Sequence, residues 1–199
     1  MNWSDKIALI TGSTSGIGLA IVQELNRRGS TVIVSSEQDN FEIGQQFTNP
    51  DKIHYQQADI SQKSDILQLK DFIENKFGRL DYLVANAGIL PQPSSIDNIT
   101  DENIDRTVNV NLKGTFYTLR ELGGLVQRTS LAGAIVTMTS VDGIIGEPYG
   151  VIYSATKAGI ISLTKSFARQ FKDPLVRVNA VAPGLIDTPL SASTGEDPS

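Results

Sequence analysis

Lys6-Ile7-Ala8-Leu9-Ile10-Thr11-Gly12-Ser13-Thr14-Ser15-Gly16-Ile17-Gly18, continuing into Leu19-Ala20-Ile21-Val22-Gln23-Glu24-Leu25, decides the fold of this 199-residue chain. Lys6–Ile10 is a short apolar run of the kind that makes a buried strand, and Leu19–Leu25 carries apolar residues at helical spacing. Three glycines stand between the two. A strand, a glycine turn and a helix in that order cradle a pyrophosphate. The glycines permit a tight turn and close backbone approach, and the helix N-terminus offers free N–H groups at the positive end of its dipole. A glycine-rich turn without a ligand is the competing reading at this point.

Outward from this unit the sequence alternates strand and helix. Thr31–Ser35 reads as a strand, and Asp39 with Glu42 three residues on resembles the capping-box start of a helix. Ile53–Gln57 reads as a strand, and Ser61 is placed to cap a helix running to about Phe77, where Gly78 stops it. Leu80–Ala85 is a further strand. Thr100 caps a long helix, with Asp101 and Glu102 in its dipole-favoured first turn. Ala134–Thr139 and Val176–Ala182 are β-branched strands flanking a helix that holds Tyr153 and Lys157. The expected fold is α/β: one domain over residues 1–190, a parallel sheet with helices on both faces and right-handed crossovers, then a polar tail over 191–199. Ligands in such sheets bind outside the carboxyl ends of the strands.

Tyr153 and Lys157 lie four residues apart in Tyr-Ser-Ala-Thr-Lys, so both project from one helix face. An ammonium beside a phenol favours the phenolate, and the expectation is a phenol pKa below its usual value near 10. A tyrosine so tuned exchanges a proton with an alcohol or carbonyl oxygen. Alone, such a pair more often decorates a helix surface.

A formal charge of −5 argues against nucleic acid as a partner. No apolar run approaches the ~18 residues needed to span a bilayer, and the first residues, Met-Asn-Trp-Ser-Asp-Lys, have no apolar signal segment, so a cytoplasmic protein is expected. The absence of cysteine removes disulfides and thiolate chemistry. The single His54 has no second histidine nearby and is expected in or beside a strand; no metal site is expected.

With these motifs in order, residues 5 to about 190 resemble the short-chain dehydrogenase/reductase family, and within it the one-domain enzymes similar to 3-oxoacyl-carrier-protein reductases. The resemblance implies a Rossmann-like doubly wound sheet. Thr11-Gly12-x-x-x-Gly16-Ile17-Gly18, with Ser13 and Ser15 inside it, matches the family's cofactor loop. Asp59 matches a carboxylate that accepts from the adenine amine, with Ile60 beside the ring. Asn86-Ala87-Gly88 matches a turn after the fourth strand, although Ala85 stands where a first Asn is frequent. Asn111, Ser140, Tyr153 and Lys157 match the catalytic tetrad. Pro183-Gly184, Ile186 and Thr188 match the segment that holds the nicotinamide carboxamide.

The chemistry implied is NAD(P)-dependent hydride transfer between an alcohol and a carbonyl compound. Tyr153 exchanges the proton, Lys157 tunes it and meets the nicotinamide ribose, Ser140 orients the substrate oxygen, and Asn111 holds a water that links Lys157 to solvent. The simpler roles are a strand end for Ser140, a buried helix kink for Asn111 and a turn for Asp59. Ser36, followed by Glu37, occupies the position that discriminates between cofactors. No basic residue stands there to pair a 2′-phosphate, and Glu37 and Asp39 repel one, so NAD(H) is favoured with NADP(H) as the alternative. The substrate is expected among Leu90, Ser140, Val141, Asp142, Ile145, Pro148, Tyr149, Leu185 and Leu190, a mostly apolar set that suits a carbonyl compound with hydrocarbon bulk.

Family members continue past Pro-Gly with two helices and a last strand, for which this sequence has no counterpart. A truncation, a naturally short enzyme and a nucleotide-binding regulator without turnover are the readings that follow. A homodimer is expected through the helices containing Asn111 and Tyr153. Leu112, Phe116, Leu119, Leu122, Ile160, Ile161, Leu163 and Phe167 supply apolar surface there, and Ala155, Ala158 and Gly159 permit close approach. A homotetramer is expected if the chain is longer.

Overall fold

A computed structural model of the chain describes residues 3–171 and 176–192. Its centre is a six-stranded parallel sheet in the order β3-β2-β1-β4-β5-β6. The strands are β1 (Ile7–Thr11), β2 (Thr31–Ser35), β3 (Ile53–Tyr55), β4 (Tyr82–Ala85), β5 (Ala134–Met138) and β6 (Arg177–Val181). Leu9 is in register with Ile33 on one side and Leu83 on the other, and Ile135 with Val178. Strand order reverses between β1 and β4, so the carboxyl ends of these two strands flank the crevice in which doubly wound sheets bind ligands.

Period-two alternation divides the core between the two sheet faces. Leu9, Ile33, Leu83 and Ile135 point one way, into a cluster with Ile66, Leu69 and Ile73 of α2 (Lys63–Phe77) and with Leu119, Leu122 and Leu125. Ala8, Ile10, Val32, Val34 and Val84 point the other way and meet Val22 of α1 (Gly16–Arg27).

The expected helix starts are met unevenly. Gly78 closes α2 in the left-handed conformation at φ 70°, as a C-terminal glycine should. Thr100 caps its helix, its Oγ1 accepting from Asn103 N at 3.2 Å. Ser61 is not the cap of α2. Gln62 takes that position, because the Asp59 carboxylate draws in Ser61 N at 2.8 Å and tightens the preceding turn. No helix follows Asp39, contrary to the capping-box reading. The Asp39 carboxylate accepts from Gln57 Nε2 at 2.9 Å instead of capping, and Phe47 is buried against the sheet. Asn49 is gripped by the fully buried Asn26: Asn26 Nδ2 donates to Asn49 O at 2.8 Å, Asn49 N donates to Asn26 Oδ1 at 2.9 Å, and Asn49 Nδ2 donates to Asn26 O at 2.9 Å. Two anchored ends and a buried ring leave this segment no room to coil.

Helix α3 spans residues 101–129 but is not uniformly α-helical. Val108–Gly114 and Leu119–Gly123 are π-helical, separated by the α-turn Thr115–Thr118 and framed by Asp101–Thr107 and Gly124–Thr129. A short helix α4 (Asp142–Ile145) leads into α5 (Val151–Gln170), which carries Tyr153 and Lys157, and α6 is Pro189–Ala192. Ser191 and Ala192, read from sequence as the start of the polar tail, thus belong to a helix with Ser191 buried; residues 193–199 of that tail lie outside the described residues.

Much of the surface assigned to a dimer contact is used within the chain. Leu119, Leu122, Ile160 and Phe167 are core. Gly159 does permit close helix approach, but to Leu112 of the same chain, whose Cδ1 would stand 2.8 Å from a Cβ added there. Leu112, Phe116, Ile161 and Leu163 remain partly exposed.

Candidate active site

The glycine loop is held from β4. Asn86 Nδ2 donates to the carbonyls of Thr11 at 3.0 Å and Gly12 at 2.8 Å, while Thr11 Oγ1 accepts from the backbone of Asn86 and Ala87 at 3.2 Å each. Glycine is required at position 12: φ is 61°, and a Cβ would stand 2.6 Å from Ala87 Cα. Gly18 lets α1 lie directly on the loop, since a Cβ there would collide with the Gly12 carbonyl. The Ser13 hydroxyl is fully buried, donating to Ile10 O at 2.6 Å and accepting from Ser35 N at 3.2 Å, so the side chain braces the loop.

Helix α1 starts at Gly16 with Ser15 as an N-cap whose side chain makes no capping bond, and no acidic residue sits in its first turn. Its leading N–H groups and dipole end are therefore uncompensated by the chain and suit an anionic group. Beside it, a cavity of about 190 Å³ is lined by Gly12, Ser15, Ser36, Glu37, Asp59, Ile60, Ala87 and Gly88. Ser36 Oγ lies 3.2 Å from Tyr55 Oη and accepts from Gln38 N at 3.3 Å, which fixes the corner at the end of β2.

A second cavity of about 170 Å³ lies on the other side of the Asn86–Leu90 turn. Ile17, Asn86, Leu90, Ser140, Val141, Asp142, Tyr153, Lys157, Pro183, Gly184, Leu185, Ile186, Thr188 and Leu190 line it. Val141 N donates to Pro183 O at 2.9 Å, which clips the segment after β6 to the end of β5. Three expected substrate residues are elsewhere. Gly146, at φ 79°, turns the chain away after α4 and leaves Ile145 exposed. Tyr149 lines a separate small cavity with Ser94 and Asn103. Pro148, beside it, does not line the 170 Å³ cavity either.

Three of the four tetrad residues share that cavity. Ser140 Oγ is hydrogen-bonded to the phenol of Tyr153 and accepts from Asp142 N at 3.1 Å. Lys157 Nζ donates to Met138 O at 3.1 Å and lies 5.3 Å from the centre of the Tyr153 ring. Asn111 sits behind them, fully buried in the first π-helical stretch. Its Oδ1 accepts from Ile89 N at 2.8 Å and its Nδ2 donates to Ile89 O at 2.9 Å. The side-chain amide is therefore engaged by backbone. Gly88 brings the two close: a Cβ there would lie 3.2 Å from Asn111 Oδ1 and 3.4 Å from Lys157 Nζ.

The charge states run against the sequence expectation. Burial pushes Tyr153 up to about 12; the Ser140 hydrogen bond opposes this and the Asp142 charge adds to it. Burial brings Lys157 down to about 8, against the pull of Asp142. The lysine does not lower the phenol because its ammonium is itself desolvated and directed at the Met138 carbonyl. A main-chain acceptor contributed by β5 leaves no signature in sequence. His54 is a packing residue in β3, with its ring against Phe77 and Nδ1 3.0 Å from Lys76 Nζ, and burial, then Lys76, lowers its pKa. The described residues contain no cluster of metal-ligating side chains and no helix long and apolar enough to cross a membrane.

A family profile described as short chain dehydrogenase matches residues 6–199. The chain belongs to the short-chain dehydrogenase family. This short-chain dehydrogenase is 35% identical over 200 residues to the 3-oxoacyl-[acyl-carrier-protein] reductase of Thermotoga maritima, covering 98% of the chain and 80% of that protein. The structure of a 3-ketoacyl-(acyl-carrier-protein) reductase from Brucella melitensis, complexed with NADH, superposes with a TM-score of 0.88 at 29% identity, over 95% of this chain and 79% of that one. The NADP-bound structure of ElxO gives a TM-score of 0.88 at 33% identity, over 94% and 77%. The family and its named members make the chain an oxidoreductase.

Proposed function

We propose that this short-chain dehydrogenase interconverts an alcohol and a carbonyl compound with a nicotinamide cofactor, NAD(H) in preference to NADP(H), and that Tyr153 exchanges the proton. The observation that carries this is the convergence of Ser140, Tyr153 and Lys157 on one cavity at the carboxyl end of β5. The donor set fits the cofactor: an uncapped α1 N-terminus for the pyrophosphate, Asp59 and Ile60 for adenine, Glu37 for the adenosine ribose, and Pro183, Gly184, Ile186 and Thr188 for the nicotinamide. Glu37 and the absence of a basic residue among that cavity's lining favour a 2′-hydroxyl over a 2′-phosphate.

When bound, the nicotinamide supplies or accepts the hydride. Ser140 holds the substrate oxygen next to the phenol. Tyr153 is protonated at neutral pH and is therefore ready to donate as a carbonyl oxygen gains negative charge. Lys157, with a pKa near 8, can pass its proton on within an ordinary pH range. Leu90, Val141, Leu185 and Leu190 give the substrate an apolar bed. Net charge −5 favours a small molecule over nucleic acid, and the working location is cytoplasmic. The assembly is a homodimer through α3 and α5, by their half-exposed Leu112, Phe116, Ile161 and Leu163, or a homotetramer if the native chain is longer. A regulator without chemistry is not favoured, since it would have no use for a lysine buried beside a phenol.

Screening alcohols and ketones by nicotinamide fluorescence, with Tyr153→Phe alongside, tests the assignment. Turnover should vanish in the variant while cofactor affinity stays within a few-fold; wild-type rates in Tyr153→Phe would refute the proton-donor role.

A further inference from the structure

Asp142 is the one acidic side chain lining the 170 Å³ cavity, and Lys157 is its one basic side chain, among the described residues. The two charges are presented differently. Lys157 is buried, directed at Met138 O and covered by the Tyr153 ring. Asp142 is only partly buried and opens α4 on the cavity wall. Its position is rigid from two sides. Its backbone N–H is bonded to Ser140 Oγ, and Gly143 next to it lies so close to α5 that a Cβ would stand 2.7 Å from the Lys157 carbonyl carbon. Asp142 also acts electrostatically on both Tyr153 and Lys157, which places its charge within reach of the reacting oxygen.

Leu90, Val141, Leu185 and Leu190 form the apolar part of the remaining wall, beside the uncharged polar side chains of Asn86, Thr139, Thr188 and Ser191. Leu185 and Leu190 are exposed at its edge. A ligand entering here passes hydrocarbon and a carboxylate and meets no solvent-exposed cation that could receive an anionic group.

We propose that Asp142 is an electrostatic filter for this site, admitting neutral apolar carbonyl and alcohol substrates, or cationic ones, and excluding those that carry a carboxylate or phosphate close to the reacting carbon. The inference rests on the oxidoreductase reading for its substrate, but not for its readout. A like charge on a bound substrate is repelled at close range by the partly buried carboxylate, and even with moderate screening the penalty is worth about tenfold in affinity.

The test uses a matched pair that differs in one charge, ethyl acetoacetate and acetoacetate. It compares the protein with its Asp142→Asn variant, which keeps the backbone bond to Ser140. Expected for Asp142→Asn is a rise of about tenfold in the acid-to-ester ratio of kcat/KM, carried mainly by KM. The same ratio in Kd, read by ligand-observed NMR with and without NADH, should move equally. An unchanged Kd ratio overturns the filter whatever the turnover, and so does binding of acetoacetate to the unaltered protein as tightly as the ester. A shifted Kd ratio without reduction of either compound upholds the filter and counts against the oxidoreductase reading alone.

Discussion

Replacing Lys157 by methionine should make the cofactor-free protein more stable at neutral pH while removing its catalysis. The folded state holds this lysine at a pKa of about 8 against an ordinary 10.5 because it is desolvated. That difference is worth roughly 3 kcal/mol at 1.36 kcal/mol per pH unit. Between pH 8 and 10.5 the unfolded chain binds the lysine proton and the folded chain releases it, so unfolding takes up protons and stability rises with pH. Below pH 8 both states are protonated and the full cost of the buried charge is present. Methionine has no such cost but leaves Met138 O without its 3.1 Å donor, a loss of about 1 kcal/mol. The variant should thus be about 2 kcal/mol more stable at pH 7, and its advantage should vanish by pH 10.5. Tyr153, raised to about 12, destabilises the folded state between pH 10 and 12, but it does so in both proteins and cancels in the difference. Urea unfolding at pH 7, 8.5 and 10 measures the gap. A stability difference independent of pH would refute the account of Lys157 as a charge held against desolvation.

Fluorescence titration at one salt concentration should find NADH binding tighter than NADPH; the reverse order would transfer 2′-phosphate recognition to Ser36 and its neighbours. Asn26→Ala removes the two hydrogen bonds that its side chain makes to the Asn49 backbone, keeps the one from Asn49 Nδ2 to the Asn26 carbonyl, and should cost about 1–3 kcal/mol, with faster proteolysis between residues 38 and 49; unchanged stability would show that the Asn26 side chain does not hold the segment. Light scattering should show a dimer at micromolar concentration, and Ile161→Asp, at a partly exposed position outside the core clusters, should dissociate it without unfolding; a wild-type monomer would refute the α3–α5 contact.

Local signals were readable where a residue acts through its own backbone or its own helix. Gly78 stops α2 because only a left-handed residue fits there, and Thr100 caps through an atom three residues away. The strand–glycine–helix unit was legible for the same reason. Asp39 and Glu42 misled because their capping pattern lost to distant partners, Gln57, Asn26 and the sheet beneath Phe47, which no local window contains. The site followed the same division. The identity and spacing of Tyr153 and Lys157 could be read, but their charge states could not, since both depend on burial and Lys157 is directed at a Met138 carbonyl supplied by β5. Asn111 could be picked out as a residue, but the hold of its side-chain amide on the main chain of Ile89 could not, since that partner lies 22 residues away.

The two π-helical stretches in α3 set the phase of that helix. Each bonds to the fifth residue back where an α-helix bonds to the fourth, and so holds a residue for which the α-frame has no place. Because an α-helix turns about 100° per residue, losing one such residue would rotate everything beyond it by about that angle. A deletion within Leu119–Gly123 would swing Leu125, Val126 and Thr129 out of alignment with the sheet yet leave Asn111 facing Ile89. A deletion within Val108–Gly114 would turn the downstream helix as well and break the hold on Ile89. The helix therefore carries two angular settings, one referred to the reacting centre and one to the core, and each can be reset by single-residue length changes.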